Sequence, residues 1–248
     1  MRPFEILMTG SDGYIGSHLT PYLENKGYKV IPYQGDIRKF DIPNYDNPPD
    51  MVIHLAALTG VRKSLENPKE YFDVNVQGTR EVFITCTEFD IPVMFASSSN
   101  AKEVTNPYAE SKLMNEVDRT DNSVGFRPHT VYPGRPDMLF EKLLRGEVTY
   151  INGMHSRDFT HIDDLCSALF TILTNYGKIK GKVIDIGTGV SIPVIKYAKA
   201  LGYTGDIIYE ETPNERIVTN ANITELTELG WTPKKDIFEV INEIRSFK

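Results

Sequence analysis

The stretch Ile6-Leu7-Met8-Thr9-Gly10-Ser11-Asp12-Gly13-Tyr14-Ile15-Gly16-Ser17-His18-Leu19 decides the fold. An apolar strand passes through three spaced glycines into a helix, a sequence of parts suited to holding a phosphate pair. Gly10 permits a tight turn without a Cβ, Gly13 lets the backbone approach a ligand, and Gly16 lets the helix start pack near the strand. The unpaired N–H groups of that helix start then face a pyrophosphate. Gly10, Gly13, Tyr14, Ile15 and Gly16 are the candidate cofactor contacts here. Glycine spacing alone is a weak signal, since any strand–turn–helix tolerates glycine. Its position strengthens it, because it opens a βαβ unit whose second strand is Tyr28-Lys29-Val30-Ile31.

Composition narrows the class. A chain of 248 residues with 40% apolar content can bury a sizeable core as one large or two small domains. A net charge of −7, a pI of 5.3 and the lack of a long Lys/Arg run argue against a nucleic-acid backbone or an anionic membrane as partner. Cys86 and Cys166 sit in apolar stretches and read as buried thiols of a reducing compartment. No signal peptide and no membrane-length apolar run is read, so the expected location is cytoplasmic.

Beyond the cradle, a helix runs from Tyr14 to about Asn25 with Pro21 inside it, where a backbone bond is lost. An ordinary doubly wound domain next supplies an acid for the adenosine ribose, and here that place falls near Gln34. The chain passes almost at once to Gly35-Asp36-Ile37-Arg38, so this crossover is shortened. Asp36 is the candidate for the ribose or, with Ile37, for the adenine edge; the alternative is a solvated turn aspartate. Arg38 is a possible partner for a 2′-phosphate, which makes NAD the modest preference over NADP.

Met51 to Ala57 is a continuous apolar run of buried-strand length, and the small residues at its end, after Leu55 and at Ala56, let a cofactor approach. His54 has no second ligand nearby and reads as a core residue; no metal is expected. Pro68 to Phe89 reads as one long helix carrying Asn75 and Gly78. Ile91 to Ala96 is another buried strand, running into Ser97-Ser98-Ser99-Asn100. Polar residues at a strand's carboxyl end are where open α/β sheets place their chemistry.

Asn106-Pro107-Tyr108-Ala109-Glu110-Ser111-Lys112 supplies the partner. Tyr108 and Lys112 share a helical face at i, i+4, and a positive neighbour favouring the phenolate makes tyrosine a usable base. Tyr-x-x-x-Lys also occurs at Tyr22 to Lys26 and Tyr176 to Lys180, so the motif alone proves little. The order of parts selects Tyr108: phosphate cradle, apolar strand, strand-terminal serines, then helix-borne Tyr and Lys.

Gly10 to Leu19, Val52 to Ala57, Asn75 to Thr79, Ser97 to Ser99, Tyr108 to Lys112 and Arg157 to Asp164 together resemble the signatures of the extended short-chain dehydrogenase/reductase family. Gly60 to Pro68 and Thr130 to Met138 are most similar to UDP-glucuronate 4-epimerases. The related sugar 4,6-dehydratases carry an Asp-Glu pair where this chain has Ser99-Asn100, which argues against water elimination.

The resemblance implies an α/β, Rossmann-like doubly wound sheet spanning residues 1–129 with 181–186 as a returning strand. A substrate-binding region then comes from 130–180 and 187–248. It implies that Tyr108 takes the proton of the sugar 4-hydroxyl, Lys112 holds the nicotinamide ribose and lowers the tyrosine pKa, and Ser98 bonds the reacting oxygen. Hydride passes to NAD and returns to the other face of a 4-keto sugar. Asn75 joins the cofactor contacts by the same resemblance.

On the substrate side the resemblance places Thr130 and Arg135 at the uronate carboxylate, where a planar guanidinium suits the task. The alternative for Arg135 is a solvated loop arginine. Arg157 reaches the nucleotide diphosphate or else pairs with Asp163 or Asp164, and Arg216 lies near where relatives place another phosphate arginine. A homodimer through the Pro68–Phe89 and Tyr108 helices is also implied. Two other readings remain open: an NADPH-consuming 4-keto sugar reductase similar to dTDP-4-dehydrorhamnose reductases, and a silent dinucleotide-binding module. Three trimmed regions bear on all of them: the crossover before Asp36, the nine residues between Ser98 and Tyr108, and the loop from Tyr132 to Arg135.

Ser191 is expected to cap a helix ending before Gly202, and Ile237, Val240, Ile241 and Ile244 form the apolar stripe of a last helix.

Overall fold

A computed structural model of the chain describes residues 2–44 and 46–246. In chain order the strands are β1 (Glu5–Thr9), β2 (Lys29–Tyr33), β3 (Met51–His54), β4 (Val93–Ala96), β5 (Ser123–Pro128), β6 (Thr130–Tyr132), β7 (Tyr150–Asn152), β8 (Ser156–His161), β9 (Val183–Ile186), β10 (Ser191–Pro193) and β11 (Asp206–Ile208). The helices that matter below are α1 (Tyr14–Glu24), α2 (Val61–Glu66), α3 (Pro68–Tyr71), α4 (Gly78–Glu88), α5 (Pro107–Val117), α6 (Leu139–Leu144) and α7 (Ile162–Thr174).

Six strands form a parallel sheet in the order β2-β1-β3-β4-β5-β9. This is the doubly wound, Rossmann-like class that the sequence implies. The strands read as unbroken apolar runs because both faces are covered. Alternate residues divide between the faces: Ile6 and Met8, with Ile53, Met94 and Phe126, meet Leu19 and Leu23 of α1 and Leu165 and Leu169 of α7. Leu7, Val52, Val93 and Phe95 meet Val82 and Phe83 of α4 on the other face. Each fully buried side chain of this size stabilises the fold by about 1.5–3 kcal/mol. A one-residue slip of β1 would exchange the two sets, so packing fixes the register that brings Thr9 level with His54.

Order reverses at β1, whose neighbours are β2 on one side and β3 on the other. The crevice beyond the carboxyl ends of such strands is the usual ligand position in open α/β sheets. A third core, built from Tyr132, Phe140, Ile151, Phe159, Tyr197 and Ile241, lies in the C-terminal part, where β6 and β10 flank β8 and β11 pairs with β7.

Two local expectations change. The helix read over Pro68–Phe89 is interrupted: α3 gives way to a wide π turn over Phe72–Gln77 before α4 begins. Asn75 lies in that wide turn and is wholly buried, bonded to the segment after β3. Ser191 does not cap a helix. It pairs with Asp158 in the antiparallel β10–β8 ladder, and the following helix, Val194–Ala200, starts only after Pro193. The last helix, Ile237–Ser246, buries Ile237, Val240 and Ile241 in the C-terminal core, with Ile244 packed beside them.

Candidate active site

The cradle is built as its sequence requires. Gly10 takes a left-handed φ of +69°, and a Cβ there would stand 2.7 Å from the Ala56 amide nitrogen. At Gly16 a Cβ would press on Gly10 O and stand 2.6 Å from Ser11 Cα. The Gly13 N–H donates to Gly10 O at 3.0 Å, closing the turn at the start of α1. The end of β3 is tied alongside: the Leu55 N–H donates to Thr9 O at 3.1 Å and the Ala56 N–H to Thr9 Oγ1 at 3.2 Å. Ile15 packs into the core beneath. The Tyr14 phenol is buried with no hydrogen-bond partner among the described residues, and burial raises its pKa. Close-packed glycines under a free helix N-terminus fit a dinucleotide pyrophosphate.

At the adenosine end, Asp36 caps the short 3-10 turn Ile37–Lys39 by accepting from the Arg38 N–H at 3.0 Å. Hydrogen bonds from Arg38 hold the Asp36 carboxyl down at about 2. Arg38 lies between two acids, 2.6 Å from Asp36 and 2.8 Å from Asp73. Its guanidinium is therefore engaged, which disfavours a 2′-phosphate partner. Ile37 is buried where Gly78 has no side chain; a Cβ at Gly78 would stand 2.8 Å from Ile37 Cγ1.

Asn75 has a different position from the one expected of a cofactor contact. Its Oδ1 accepts from the Leu58 N–H at 2.7 Å, and its Nδ2 donates to Leu58 O at 3.0 Å and to Ser111 Oγ at 3.0 Å. Both its N–H groups and one of the two acceptor positions of Oδ1 are used inside the protein, so it holds the segment after β3.

Tyr108 lies one residue into α5, after Asn106 caps the helix and Pro107 opens it. Ser98, just beyond β4, accepts from the Asn100 N–H at 3.2 Å and lies near enough to the Tyr108 phenol to act on its titration. Burial raises the Tyr108 pKa, while Ser98 and the Arg135 charge oppose that rise. Lys112 is buried, and its Nζ donates to Ala96 O at 2.8 Å. Burial brings its own pKa down to about 8. Lys112 thus lies one turn along α5 from Tyr108 with its ammonium on the carboxyl end of β4, and the charge of Arg135 acts on the phenol from the loop after β6. His54, between Thr9 Oγ1 at 2.7 Å and Thr79 Oγ1 at 3.0 Å, is a neutral core residue with its pKa lowered by burial to about 3.

One residue beside the phenol, Tyr71, was not singled out in the sequence. Tyr71 presents its ring to Tyr108 edge-on, with centroids 6.2 Å apart, and its hydroxyl donates to Thr59 O at 2.6 Å. Arg135 Nη1 donates to Thr59 Oγ1 at 2.6 Å and the same guanidinium pairs with Asp137 at 3.2 Å. Thr59 therefore links the N-terminal domain to the loop after β6. A cleft of about 470 Å³ opens here, lined by Ala57, Leu58, Thr59, Lys63 and Tyr71 among others.

On the remaining side, Thr130 is half-buried on β6 opposite Phe159. Arg157, on β8, donates through Nη1 to Ser156 O and Ile217 O, both at 2.9 Å. It forms no ion pair with Asp163 or Asp164: Asp164 instead accepts from the backbone N–H groups of Lys234 and Lys235. Burial lowers the Arg157 pKa, Glu215 opposes this, and the charge of Arg216 adds to it. Arg216 donates to Ser99 O at 2.7 Å and pairs with Glu103 at 3.3 Å. The structure brings Arg157 and Arg216 to one region, beside the serine segment. Among the described residues no group of three or more His, Cys, Asp or Glu side chains is placed to hold a metal ion, and no helix is long and apolar enough to cross a membrane.

A strand-to-helix glycine cradle, strand-terminal serines and a helix-borne tyrosine in one crevice define an extended short-chain dehydrogenase/reductase. Residues 6–187 match the model of the NAD dependent epimerase/dehydratase family, and the chain belongs to that family and is an NAD-dependent enzyme. It is 29% identical to a putative UDP-glucose 4-epimerase of Methanocaldococcus jannaschii over 96% of each chain. It is 30% identical to Protein CapI of Staphylococcus aureus, again over 96% of each. Among solved structures, MoeE5 in complex with UDP-glucuronic acid and NAD superposes with a TM-score of 0.83 at 27% identity, covering 96% of both chains.

Proposed function

We propose that the enzyme is a nucleotide-sugar 4-epimerase acting on UDP-glucuronate and UDP-galacturonate, with Ser98, Tyr108 and Lys112 as its catalytic set. The observation carrying this reading is that Ser98, the Tyr108 phenol and Arg135 converge beside the edge-on Tyr71 ring, with Arg135 Nη1 donating to Thr59 Oγ1 at 2.6 Å across the cleft. The likeness to MoeE5, whose complexes hold UDP-glucuronic acid and UDP-glucose, supports a UDP-hexose substrate, and Arg135 carries the choice of the uronate.

NAD, when bound, supplies a reversible hydride acceptor. The cofactor contacts proposed in this chain are Gly10, Gly13, Tyr14, Ile15 and Gly16 at the pyrophosphate, Asp36 and Ile37 at the adenosine, and Leu55 and Ala56 beside the cradle. Tyr108 accepts the proton of the sugar 4-hydroxyl, and Ser98 keeps a hydrogen bond on that oxygen as it becomes a carbonyl. The 4-keto sugar turns over in the cleft, hydride would return to the opposite face of C4, and the same tyrosine gives the proton back to the C4 oxygen. A 4-keto uronate is a β-keto acid that loses carbon dioxide unless its carboxylate is restrained. Thr130 and the bidentate fork of Arg135 supply that restraint, while Arg157 and Arg216 take the diphosphate.

Product analysis tests the reading. Purified enzyme given UDP-glucuronate should yield UDP-galacturonate without net NADH. Stoichiometric NADPH loss would mark a reductase, and an inert cofactor-binding protein would leave only the module reading. Arg135→Ala should lower kcat/KM for the uronate by about 10- to 100-fold, the worth of a charge-assisted pair. Its effect on UDP-glucose should be several-fold smaller, limited to the lost charge beside Tyr108 that both sugars share. Equal losses on both sugars would remove Arg135 from carboxylate recognition.

The same reading includes a cytoplasmic homodimer. Ile84 on α4 and Val117 on α5 are 54% and 71% exposed, apolar side chains on the two helices that the family resemblance assigns to the interface. Sedimentation should give twice the 28.1 kDa chain mass, and Ile84→Glu with Val117→Glu should return a monomer. A wild-type monomer at micromolar concentration would refute this.

A further inference from the structure

Ser98 and Tyr108 sit on different elements, yet the link between them is short and carries no packing core of its own. What fixes their separation is a closed circuit of charged and polar side chains behind the site. Ser97, the residue before Ser98, donates its hydroxyl to Glu116 Oε1. Glu116 lies on α5 two turns after Tyr108, on the same stripe as Lys112, and is buried. Arg127 at the end of β5 grips Glu116 through Nε at 2.7 Å and again through Nη2. Its remaining nitrogen, Nη1, reaches Asp185 Oδ1 on β9 at 3.3 Å. Asp185 Oδ2 accepts from Lys102 Nζ at 2.7 Å and from the Asn222 N–H at 3.0 Å. Lys102 closes the circuit, because it ends the short 3-10 turn, Ser99–Lys102, that Ser98 caps.

The segment bearing Ser98 is therefore pinned at both ends, and Arg127 joins the two pins. We infer that Arg127, with Glu116, Asp185 and Lys102, is a positioning circuit that holds Ser98 in register with Tyr108. None of the four touches the phenol. Each acts through Ser97 or Lys102 on the backbone that carries the serine. The geometry needs arginine at 127, since one planar fork must meet two carboxylates at fixed angles, and a lysine ammonium meets one point at a time. The circuit also explains how a trimmed chain keeps the pair together: the hold comes from β5, β9 and α5 rather than from the link.

The test reads the tyrosine directly, so it is independent of the substrate, although the kinetic part rests on the proposed epimerase reaction. Tyr108 is faced by Ser98, by the Tyr71 ring and by the charge of Arg135, with Lys112 one turn along α5. Of these the circuit moves Ser98; Glu116 also bears on Lys112 one turn away, and Arg127→Lys and Lys102→Met leave the Glu116 charge in place and so separate the two effects. In NAD-loaded protein labelled at tyrosine Cζ, with Tyr108→Phe identifying the signal, Ser98→Ala should move the Tyr108 titration to higher pH by about half a unit or more. Glu116→Gln and Arg127→Lys should reproduce that upward move. Each should lower kcat about 10-fold with KM within about twofold, a loss confined to the transition state. Lys102→Met, at a partly exposed position, should move the titration in the same direction by less, and it carries the test if the buried substitutions fail to fold. An unmoved Tyr108 titration in Lys102→Met and Glu116→Gln, beside a clear shift in Ser98→Ala, overturns the circuit. A shift in all of them without epimerase turnover in the wild type overturns the substrate reading and leaves the circuit standing.

Discussion

Tyr108→Phe is expected to cut turnover by about 10²- to 10⁴-fold, the range of a positioned acid–base group, with the fold intact. Only one oxygen is removed, and the ring keeps its edge-on contact with Tyr71. The pH profile gives the sharper check. Burial places the Tyr108 proton above the ordinary tyrosine value of about 10, with Ser98 and Arg135 acting the other way. At pH 7 the group is a phenol, and its phenolate fraction grows about tenfold per pH unit below that pKa. Wild-type kcat/KM on UDP-glucuronate should therefore climb with pH through the neutral range. The residual rate of the Phe variant should not follow that climb. Unchanged activity in the variant, or the same pH slope in both, would show that another group moves the proton.

How much of this was readable in the chain depends on which constraint each residue answers to. Gly10 and Gly16 are legible because the demand is on their own backbone: any Cβ there meets Ala56 or Ser11. The strands are legible because a sheet covered on both faces needs continuous apolar runs, as in Met51 to His54. Tyr108 and Lys112 are legible as helical neighbours, but spacing reports which side chains share a face, not which acceptor lies beyond it. Ala96 O lies within reach of Lys112 Nζ, and only the path of β4 shows that. The same holds for Asn75, whose partner Leu58 is seventeen residues away beyond α2 and α3. The wide turn before α4 and the extended geometry of Ser191 arise where such tertiary pairing overrides local preference. Arg127 and Asp185 are charged residues inside otherwise apolar strands, and which groups they meet is decided by the neighbouring places of β5 and β9 in the sheet.

Asp158 carries the same lesson to a larger expected effect, because its whole role is to be paired. It follows Arg157 on β8 and is fully buried. Its Oδ1 accepts from the Thr188 N–H and from Thr188 Oγ1, both at 2.8 Å. Its Oδ2 accepts from the Gly189 N–H at 2.9 Å and from the Ala221 N–H at 3.0 Å. One carboxylate thereby joins β8 to the loop after β9 and to the segment leading to the last helices. Gly187 makes room for it, since a Cβ there would stand 2.7 Å from Oδ2. Asp158→Ala leaves four donors without their acceptor in a site with little space for water. Each orphaned group costs about 1–3 kcal/mol, so a loss of about 4 kcal/mol or more is expected. For a chain of this size that corresponds to a fall in Tm of roughly 10 °C. Asp158→Asn should fall between, because an amide keeps one acceptor oxygen but turns two N–H groups toward Gly189 and Ala221. The nucleotide side should suffer as well: Arg157 and the strand segment near Ile217 are held by the same β8 backbone, so weaker binding of UDP alone should accompany the lower Tm. A Tm within about 2 °C of the wild type in Asp158→Ala would mean that water replaces the carboxylate, and the loops around Thr188 and Ala221 would then need another anchor.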